Sequence, residues 1–426
     1  MKIIILSLFI FATQTLPAQD TLKILQYNLL NYGNYTSYCT TSNNNINDKD
    51  EYIRTIIEYA KPDIFTVNEI SSSDSIHQRL LDNDLNVNGI NYYRKANFIK
   101  IADSYLVNML YYNWQKLELH SHTIAQSYIR DIDVYKLYYR SDDLVIGDTT
   151  FVICIVAHLK SSGGANNENK RRDMVYNAMN YLNDYDDSNN YLFMGDFNVY
   201  SSSEPAYQLL TNYTNPELNF YDPIDTPGDW NNNYTFRFVH TQSTHDTQNG
   251  CASYSGMDDR FDFILLSDNI MQGFMDVEYI EGSYTTIGQD GLHFDNAINS
   301  NPENISAPSN VIEALFGNSD HLPISIMLKV NKTLGISNHE YSLFSEITFK
   351  NPVSETLGLS IQAKTNSNVN IKLMDIRGKC VFSDEVKVSA GQNHFNYNLS
   401  KLTAGIYFGI FTDGNNNSIV KKIVKR

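Results

Sequence analysis

The sequence lacks several features that would assign a protein to a class at once. Its four cysteines, Cys39, Cys154, Cys251 and Cys380, match the spacing of no zinc or redox motif. Lysine and arginine number 32 against 48 aspartate and glutamate, and the resulting net charge of −16 excludes a uniformly basic surface. Beyond the N-terminus no apolar run approaches the roughly 18 residues of a membrane helix. A phosphate substrate would therefore require a metal or a few placed cations.

Residues 1–18 are typical of a secretory signal peptide. Lys2 supplies the positive start, residues 3–12 are apolar, and Leu16-Pro17-Ala18 provides a small-residue cleavage site before Gln19. A lipid anchor would need a cysteine after Ala18, and Gln19 stands there instead. We therefore expect an exported chain whose mature form starts near Gln19.

Export permits a disulfide bond, and two of the cysteines lie in polar loops. These are Cys39 and Cys251, whereas Cys154 lies inside an apolar run and is expected to be buried. Two loop cysteines need not meet in the fold, so the sequence leaves their pairing open.

The length and the charge distribution indicate at least two domains. A chain of 426 residues exceeds one typical domain. We predict a large domain over residues 19–330, a linker over 331–345 and a small β-sandwich over 346–426. From Tyr341 onward there are 11 lysines and arginines and 6 acidic residues, so this part has a net charge of +5. Subtracting this +5 and the +1 of Lys2 from the total of −16 leaves a net charge of −22 for residues 19–340.

Several apolar runs of strand length in the large domain end in a polar or ionisable residue. The run 191–195 ends at Asp196, and Asn198 follows two positions later. In an extended segment residues two apart point to the same side, although Gly-Asp and Asn-Val are also common in turns. Similar ends lie at Asn28, Glu69, His158, Asp262 and Asp320-His321, with helical patterns between some of the runs. This pattern predicts a mixed α/β sandwich with its site at one rim.

Together these strand-end residues suit metal-assisted phosphoryl chemistry. Glu69 and Asp320 are oxygen ligands that would hold Mg²⁺, with Asn28 nearby. Asp196 would orient or deprotonate a water molecule, and Asn198 would donate to a phosphoryl oxygen. Asp262 would hold an imidazole in one tautomer. Taken singly, a glutamate at a strand end is more often solvated than a ligand, and a lone histidine is more often a loop residue than a catalyst.

The residues occur in motifs that resemble the endonuclease/exonuclease/phosphatase superfamily. The matching segments, in the order of that family, are residues 26–31 (QYNLLN), 63–69 (DIFTVNE), 157–160 (AHLK), 195–198 (GDFN), 260–264 (RFDFI) and 319–324 (SDHLPI). The resemblance spans about 300 residues and implies a four-layered α/β sandwich of two packed mixed sheets that hydrolyses phosphoesters.

The resemblance also implies roles for individual residues. His158 and Asn198 resemble groups that contact the scissile phosphate. Asp196 resembles the carboxylate that activates water, and His321 with its partner Asp262 the acid/base or phosphate-stabilising pair. Asn28, Glu69 and Asp320 resemble the metal site; the substrate-binding candidates are Arg130 and Asn31. A second glutamate of the pancreatic-type nucleases has no clear counterpart, with Asp103 a loose candidate, so the number of metals stays open.

The C-terminal residues resemble the type IX secretion sorting domain. The matching segments are Asn351-Pro352 and residues 373–379, 399–407 and 421–424. This resemblance implies contact with the type IX secretion machinery and a secreted or surface-attached protein. A carbohydrate-binding or adhesion module is the alternative, but no aromatic platform stands out there.

We predict a secreted, Mg²⁺-dependent phosphodiesterase, with Mn²⁺ or Ca²⁺ as alternative metals, that acts as a nuclease on extracellular DNA or RNA. The alternatives are a lipid phosphodiesterase or phosphatase with the same site, and a surface binding protein without turnover. We expect a monomer without a stable membrane span. The basic helix residues Lys170, Arg171 and Arg172 would contact nucleic-acid phosphates or simply form a solvated face.

Overall fold

The computed structural model describes residues 20–184, 189–332, 344–375, 379–414 and 418–426. The predicted signal peptide and most of the predicted linker lie outside these described residues.

Residues 20–332 alternate between strands and helices. The strands are β1 (Asp20–Tyr32), β2 (Ile64–Ser71), β3 (Tyr93–Lys95), β4 (Leu106–Asn113), β5 (Leu117–Gln126), β6 (Ile132–Tyr139), β7 (Phe151–His158), β8 (Tyr191–Asp196), β9 (Phe220–Tyr221), β10 (Asp262–Ser267), β11 (Val277–Tyr279), β12 (Thr285–Thr286) and β13 (Ile324–Val330). The α-helices are α1 (Ile46–Ala60), α2 (Asp74–Leu80), α3 (Ala165–Asp184), α4 (Pro205–Thr211), α5 (Asp268–Gln272) and α6 (Ser309–Asn318).

These strands form two mixed sheets. The first has the order β11-β13-β1-β2-β4-β3, with β12 also paired to β13, and the second has the order β5-β6-β7-β8-β10-β9. Each sheet contains one parallel pair, β1 with β2 and β7 with β8, and its other pairings are antiparallel. Parallel neighbours end at the same edge of a sheet, so each sheet presents a pair of strand ends there.

The two sheets pack face to face through a buried apolar layer. Ile24, Leu110 and Ile326 of the first sheet belong to the same cluster as Cys154 and Ile264 of the second. A further cluster joins the outer face of the first sheet to α1 and α6, and another joins the outer face of the second to α3 and α4. The predicted four-layered α/β sandwich is confirmed, and Cys154 is buried as expected.

Helix α1 shows how the sequence produces one of these outer layers. Asn45 caps its N-terminus by accepting from the Asn47 amide, and Ile53, Ile56 and Ile57 lie on the face that packs on the first sheet. Lys61, in the left-handed conformation, ends the helix before Pro62. Pro62 and Asp63 then lead directly into β2.

The C-terminal residues form two antiparallel sheets. Their strands are β14 (Phe344–Phe349), β15 (Thr356–Ala363), β16 (Ser367–Asp375), β17 (Cys380–Val388), β18 (Gly391–Asn398), β19 (Gly405–Asp413) and β20 (Ser418–Lys425). The sheet orders are β14-β15-β18 and β17-β16-β19-β20, and Ile361 and Ile371 share one buried cluster between them. The predicted all-β fold is confirmed. The sequence did not predict β18, because its polar residues (GQNHFNYN) carry little apolar alternation.

Asp84 is a buried carboxyl group whose titration should affect the stability of the fold. Burial and the nearby Asp50 carboxylate raise its pKa to about 9, and its Oδ2 lies 3.3 Å from the Tyr32 hydroxyl. The unfolded chain releases this proton near its ordinary pKa of about 3.9. Folded stability attributable to Asp84 is therefore greatest below that pH and falls as pH rises toward 9.

We expect Asp84→Asn to stabilise the protein at neutral pH, because the amide imitates the protonated acid. The gain should grow by up to about 1.4 kcal/mol per pH unit between pH 4 and pH 8. Urea unfolding at several pH values measures it, with the exposed neighbour variant Asp82→Asn as control. A gain independent of pH would contradict the assignment of a neutral Asp84.

Candidate active site

Asp196, the last residue of β8, lies at the centre of the site and is 2% exposed. Its Oδ2 accepts a hydrogen bond of 2.9 Å from Asn28 Nδ2 of the first sheet. Its Oδ1 accepts from the side chain and the backbone amide of Asn198, at 2.8 and 3.0 Å. Burial raises the pKa of Asp196 to about 7; His321 opposes this shift, while Asp262 and Glu69 add to it. The carboxyl group thus titrates near neutral pH.

The sequence predicts that Asn198 lies beside Asp196 because residues two apart in a strand point to the same side. In the structure the two residues are neighbours for a different reason. The strand ends at Asp196, and Asn198 adopts a left-handed backbone with φ of 52°. The turn folds its amide back onto the carboxylate, and Nδ2 also donates to the Leu159 carbonyl at 3.4 Å. The predicted proximity is present, but a turn produces it and not an extended strand.

Glu69 reaches the site because β2 is irregular at its end. Glu69 has φ of 57°, and the pairings of β2 with β1 and β4 both shift register there. A left-handed backbone is unusual for glutamate, and strained residues of this kind cluster at active sites and ligand clamps. Its Oε1 accepts from Asn28 Nδ2 at 3.4 Å, and its Oε2 accepts from the Asn31 amide at 3.1 Å.

His158 ends β7 directly beside Asp196, its parallel partner on β8. Its Nε2 lies 3.5 Å from Asp196 Oδ2 and 3.7 Å from Glu69 Oε1. Burial lowers the pKa of His158 well below its usual range, and the positive charges of Arg130, His321 and Lys160 act in the same direction. At neutral pH this imidazole is uncharged, which suits a hydrogen-bond donor or a metal ligand.

His321 forms a pair with Asp262, which opens β10 opposite Asp196. His321 Nδ1 lies 2.7 Å from Asp262 Oδ2, and its Nε2 lies 3.8 Å from Asp196 Oδ2. Burial disfavours a charged imidazole, but the carboxylates of Asp262 and Asp196 outweigh it and hold the pKa of His321 well above its usual range. The environments of the two site histidines therefore differ: neighbouring carboxylates favour the charged form of His321, whereas burial favours the neutral form of His158.

Asp320 is hydrogen-bonded to the loop that contains Gln242 and Ser253. Its Oδ2 accepts from Gln242 Nε2 at 3.2 Å and from the Ser253 amide at 2.9 Å. Its Oδ1 is buried without a hydrogen-bond partner among the described residues. Gln242 Nε2 also lies 2.7 Å from His321 Nε2, so one amide contacts both residues of the Asp-His motif.

The two predicted substrate-binding residues lie beside different members of this group. Arg130 Nη1 donates to the Leu159 carbonyl at 2.9 Å, next to His158. Asn31 donates to Glu69 through its backbone amide and, at 3.4 Å, through its side chain. Their roles toward a substrate stay predictions.

A divalent cation suits part of this constellation. Glu69, His158 and Asp196 each offer one ligand atom, and these three atoms lie within 4.8 Å of one another. Two of the three are carboxylates, which Mg²⁺ and Mn²⁺ prefer, and the neutral imidazole adds a nitrogen donor. The predicted ligands Asn28 and Glu69 belong to this region. Asp320, the third predicted ligand, is not one of the three clustered residues, although its Oδ1 is buried without a hydrogen-bond partner among the described residues.

Three residues that support the site are not among those predicted from the sequence. Asn68 accepts the Asp196 amide on its Oδ1 at 3.0 Å, Gln242 contacts Asp320 and His321, and Lys49 is buried at the end of the site. Asn68 has a signal in the sequence, since a carboxamide in a buried strand directly before Glu69 requires hydrogen-bond partners. Gln242 lies in a loop without apolar periodicity, where nothing local marks it.

A disulfide bond between Cys39 and Cys251 joins two of the loops. The cysteines are 212 residues apart in sequence, and the neighbouring Ser253 contacts Asp320. The cysteine pairing that the sequence left open is therefore present. It links the segment after β1 to the loop whose Ser253 amide donates to Asp320.

The two-sheet sandwich carries a rim of carboxylates and histidines, side chains that suit phosphoester hydrolysis. The family model described as the Endonuclease/Exonuclease/phosphatase family matches residues 25–287, and the chain belongs to this family. A second model, the Secretion system C-terminal sorting domain, matches residues 348–426. No curated protein matches the chain.

Solved structures with a similar arrangement have low identity. An endonuclease/exonuclease/phosphatase family protein from Bacteroides thetaiotaomicron is 12% identical to this chain and superposes with a TM-score of 0.46. That match covers 74% of this chain and 96% of the other chain. TDP2 from D. rerio, complexed with single strand DNA product, is 13% identical (TM-score 0.44; 72% and 98% covered). The human Nocturnin catalytic domain with bound sulfate is also 13% identical (0.43; 73% and 97%).

The sorting domain indicates export, with secretion or attachment to the cell surface, and implies interaction with the secretion machinery. In the described part of the chain, no helix has the length and apolar character needed to cross a membrane.

Asp262→Asn tests the electrostatic origin of the His321 charge. Removing the carboxylate should lower the titration midpoint of the His321 imidazole by about one pH unit or more. Histidine NMR measures it, and Asp290→Asn, which alters the separate His293–Asp290 pair of 2.9 Å, is the control. An unchanged midpoint in Asp262→Asn would show that another group holds the proton.

Proposed function

We propose that this protein is an exported, divalent-metal-dependent phosphodiesterase that acts as a nuclease on DNA or RNA. One observation carries the proposal: six polar side chains from both sheets surround the buried Asp196 carboxylate at one edge. They are Asn28, Glu69, His158, Asn198, Asp262 and His321.

Asp196 is the proposed base for the attacking water. A general base works best when its pKa lies near the working pH, and burial raises the pKa of Asp196 to about 7. Asn28 and Asn198 donate to its two oxygens and fix the direction of the carboxylate. The carboxylate thus takes up the proton of a water molecule in a defined orientation.

His321 and His158 are the proposed contacts to the phosphoryl group. His321, whose charged form the Asp262 carboxylate favours, stabilises negative charge that develops on phosphoryl oxygens. The neutral His158 donates a hydrogen bond without adding charge. Asn198 is placed to share this role through its side-chain amide, although in the present geometry that amide donates to Asp196 and Leu159.

Glu69 and Asn28 are the residues that would hold the cation, with Asp196, His158 or Asp320 completing its ligands. We propose Mg²⁺, with Mn²⁺ or Ca²⁺ as alternatives. When bound, the cation neutralises charge on the phosphoryl oxygens.

Local positive charge favours a nucleic-acid substrate in spite of the acidic domain. Arg130 and Lys160 lie near enough to His158 to lower its pKa, so cations border the proposed phosphate position. A polynucleotide carries phosphates on both sides of the scissile bond, and such flanking cations contact them. Recognition would thus depend on a small basic region and not on net charge.

A lipid phosphodiesterase is the second candidate, and one surface favours it. Ile101, Tyr105 and Tyr128 are 64%, 77% and 56% exposed. Asp131, close to Tyr128 and Arg130 in sequence, accepts the backbone amides of Ile101 and Ala102, which brings the two loops together. Exposed apolar and aromatic side chains of this kind contact lipid in membrane-active enzymes.

We expect Asp196→Asn to lower kcat by about a hundredfold or more while the protein stays folded. Steady-state hydrolysis of bis-p-nitrophenyl phosphate and thermal unfolding measure the two effects. Asp63→Asn is the matched control, because Asp63 lies directly before the first residue of β2, and Glu69 of the site lies near the other end of that strand. Retained activity in Asp196→Asn would refute the assigned base, and loss in both variants would indicate a general effect on the fold.

Chelation and a substrate panel test the metal and the substrate class. EDTA should abolish hydrolysis, and added Mg²⁺ should restore it. The panel compares plasmid DNA, RNA, sphingomyelin and bis-p-nitrophenyl phosphate. Fastest turnover of DNA or RNA supports the nuclease, fastest turnover of sphingomyelin supports the lipid enzyme, and no turnover of any substrate supports a binding protein. Activity that survives EDTA would contradict the metal mechanism.

A further inference from the structure

Lys49 of helix α1 is buried at the end of the site, with 2% of its surface exposed. Its Nζ donates to the Leu30 carbonyl at 3.1 Å, to Asn44 Oδ1 at 3.0 Å and to the Asn318 carbonyl. Burial lowers its pKa to about 7, while Asp320 and Glu69 act in the opposite direction. Three acceptors match the three N–H groups of an ammonium, so the geometry is that of the charged form.

One of these acceptors belongs to the turn that holds Glu69. Leu30 and Asn31 have φ of 45° and 53°, two successive left-handed residues. The Leu30 carbonyl accepts from Lys49, and the next amide, that of Asn31, donates to Glu69 Oε2. Asn44 strengthens this link, because it accepts from Lys49 and its Nδ2 donates to the Asn31 carbonyl at 3.1 Å.

Another acceptor begins the segment that carries Asp320 and His321. The Asn318 carbonyl lies directly before Ser319, whose Oγ donates to the Asn28 carbonyl at 2.7 Å and accepts from the His321 amide at 3.1 Å. Lys49 thus connects two segments that are almost 290 residues apart in sequence, one holding Glu69 and the other holding His321.

We propose that Lys49 is a positioning residue that sets the distance between the Leu30–Asn31 turn and the segment 318–321. This inference rests on the proposed function, since it explains how Glu69 and His321 both reach Asp196. A buried charge is costly, and an apolar side chain of similar size is often as stable. The ammonium is thus explained by the two segments that it holds in place.

The test compares Lys49→Met with Lys116→Met in the full chain. Lys116 Nζ also has three acceptors, Asp20 Oδ1 at 3.1 Å, the Thr21 carbonyl at 2.6 Å and Asp63 Oδ2 at 3.2 Å. These acceptors lie near the opposite ends of β1 and β2, away from the site. Both variants remove a lysine that bridges several groups, but only one alters the site.

For Lys49→Met we expect kcat for bis-p-nitrophenyl phosphate to fall by about 10- to 100-fold with little change in KM. The dissociation constant for Mn²⁺, measured by calorimetry without substrate, should rise by about tenfold or more. Lys116→Met should lower the unfolding temperature and leave kcat and the Mn²⁺ constant unchanged. Asn44→Ala removes one acceptor and should shift both quantities in the same direction by less.

A folded Lys49→Met with wild-type kcat and Mn²⁺ affinity would overturn the proposal and leave the proposed function intact. If Lys49→Met does not fold, the kcat and the Mn²⁺ dissociation constant of Asn44→Ala test the proposal instead. If the wild type hydrolyses nothing, the proposed function fails, and the Mn²⁺ constants alone decide whether Lys49 positions the site. A wild type that binds no Mn²⁺ would refute both.

Discussion

The structure depends on one constraint, the burial of the Asp196 carboxylate between two sheets. A carboxylate removed from water is costly unless hydrogen bonds or opposite charges compensate for it. The compensation comes from both sheets: Asn28 donates from the first and Asn198 from the turn after β8 of the second, while His321, on the segment before β13, lies 3.8 Å away. The site is therefore possible only when the two sheets pack in one relative position.

A buried polar network fixes that position. Asn68 Oδ1 accepts from Gln26 Nε2 and from the Asp196 amide, and its Nδ2 donates to Asn108 Oδ1 at 2.7 Å. Asn108 in turn donates to Asp133, which lies 2.7 Å from His122 Nε2. Apolar side chains tolerate small shifts of one sheet over the other, but a chain of directional hydrogen bonds does not. The network gives the apolar layer a single register.

Much of the fold was predictable because strand ends and helix faces are local properties. The run 191–195 predicts β8, and the Asp320-His321 motif marks the entry to β13. The arrangement of polar groups was less accessible. Glu69 turns toward Asn28 through a left-handed backbone at a bulge, and Gln242 reaches His321 from an irregular loop. Such features arise from contacts between distant segments, which no local pattern records.

The sequence by itself determined the α/β class, the family motifs, the secretion signal of the C-terminal domain and the list of polar strand ends. Only the tertiary structure decided which of these groups meet, that burial lowers the pKa of His158 while neighbouring carboxylates raise that of His321, and that Lys49 contacts the segments that carry them. The physical reason is that residue identity and spacing fix secondary structure over a few residues. Charge state and proximity depend instead on burial and on partners hundreds of residues away.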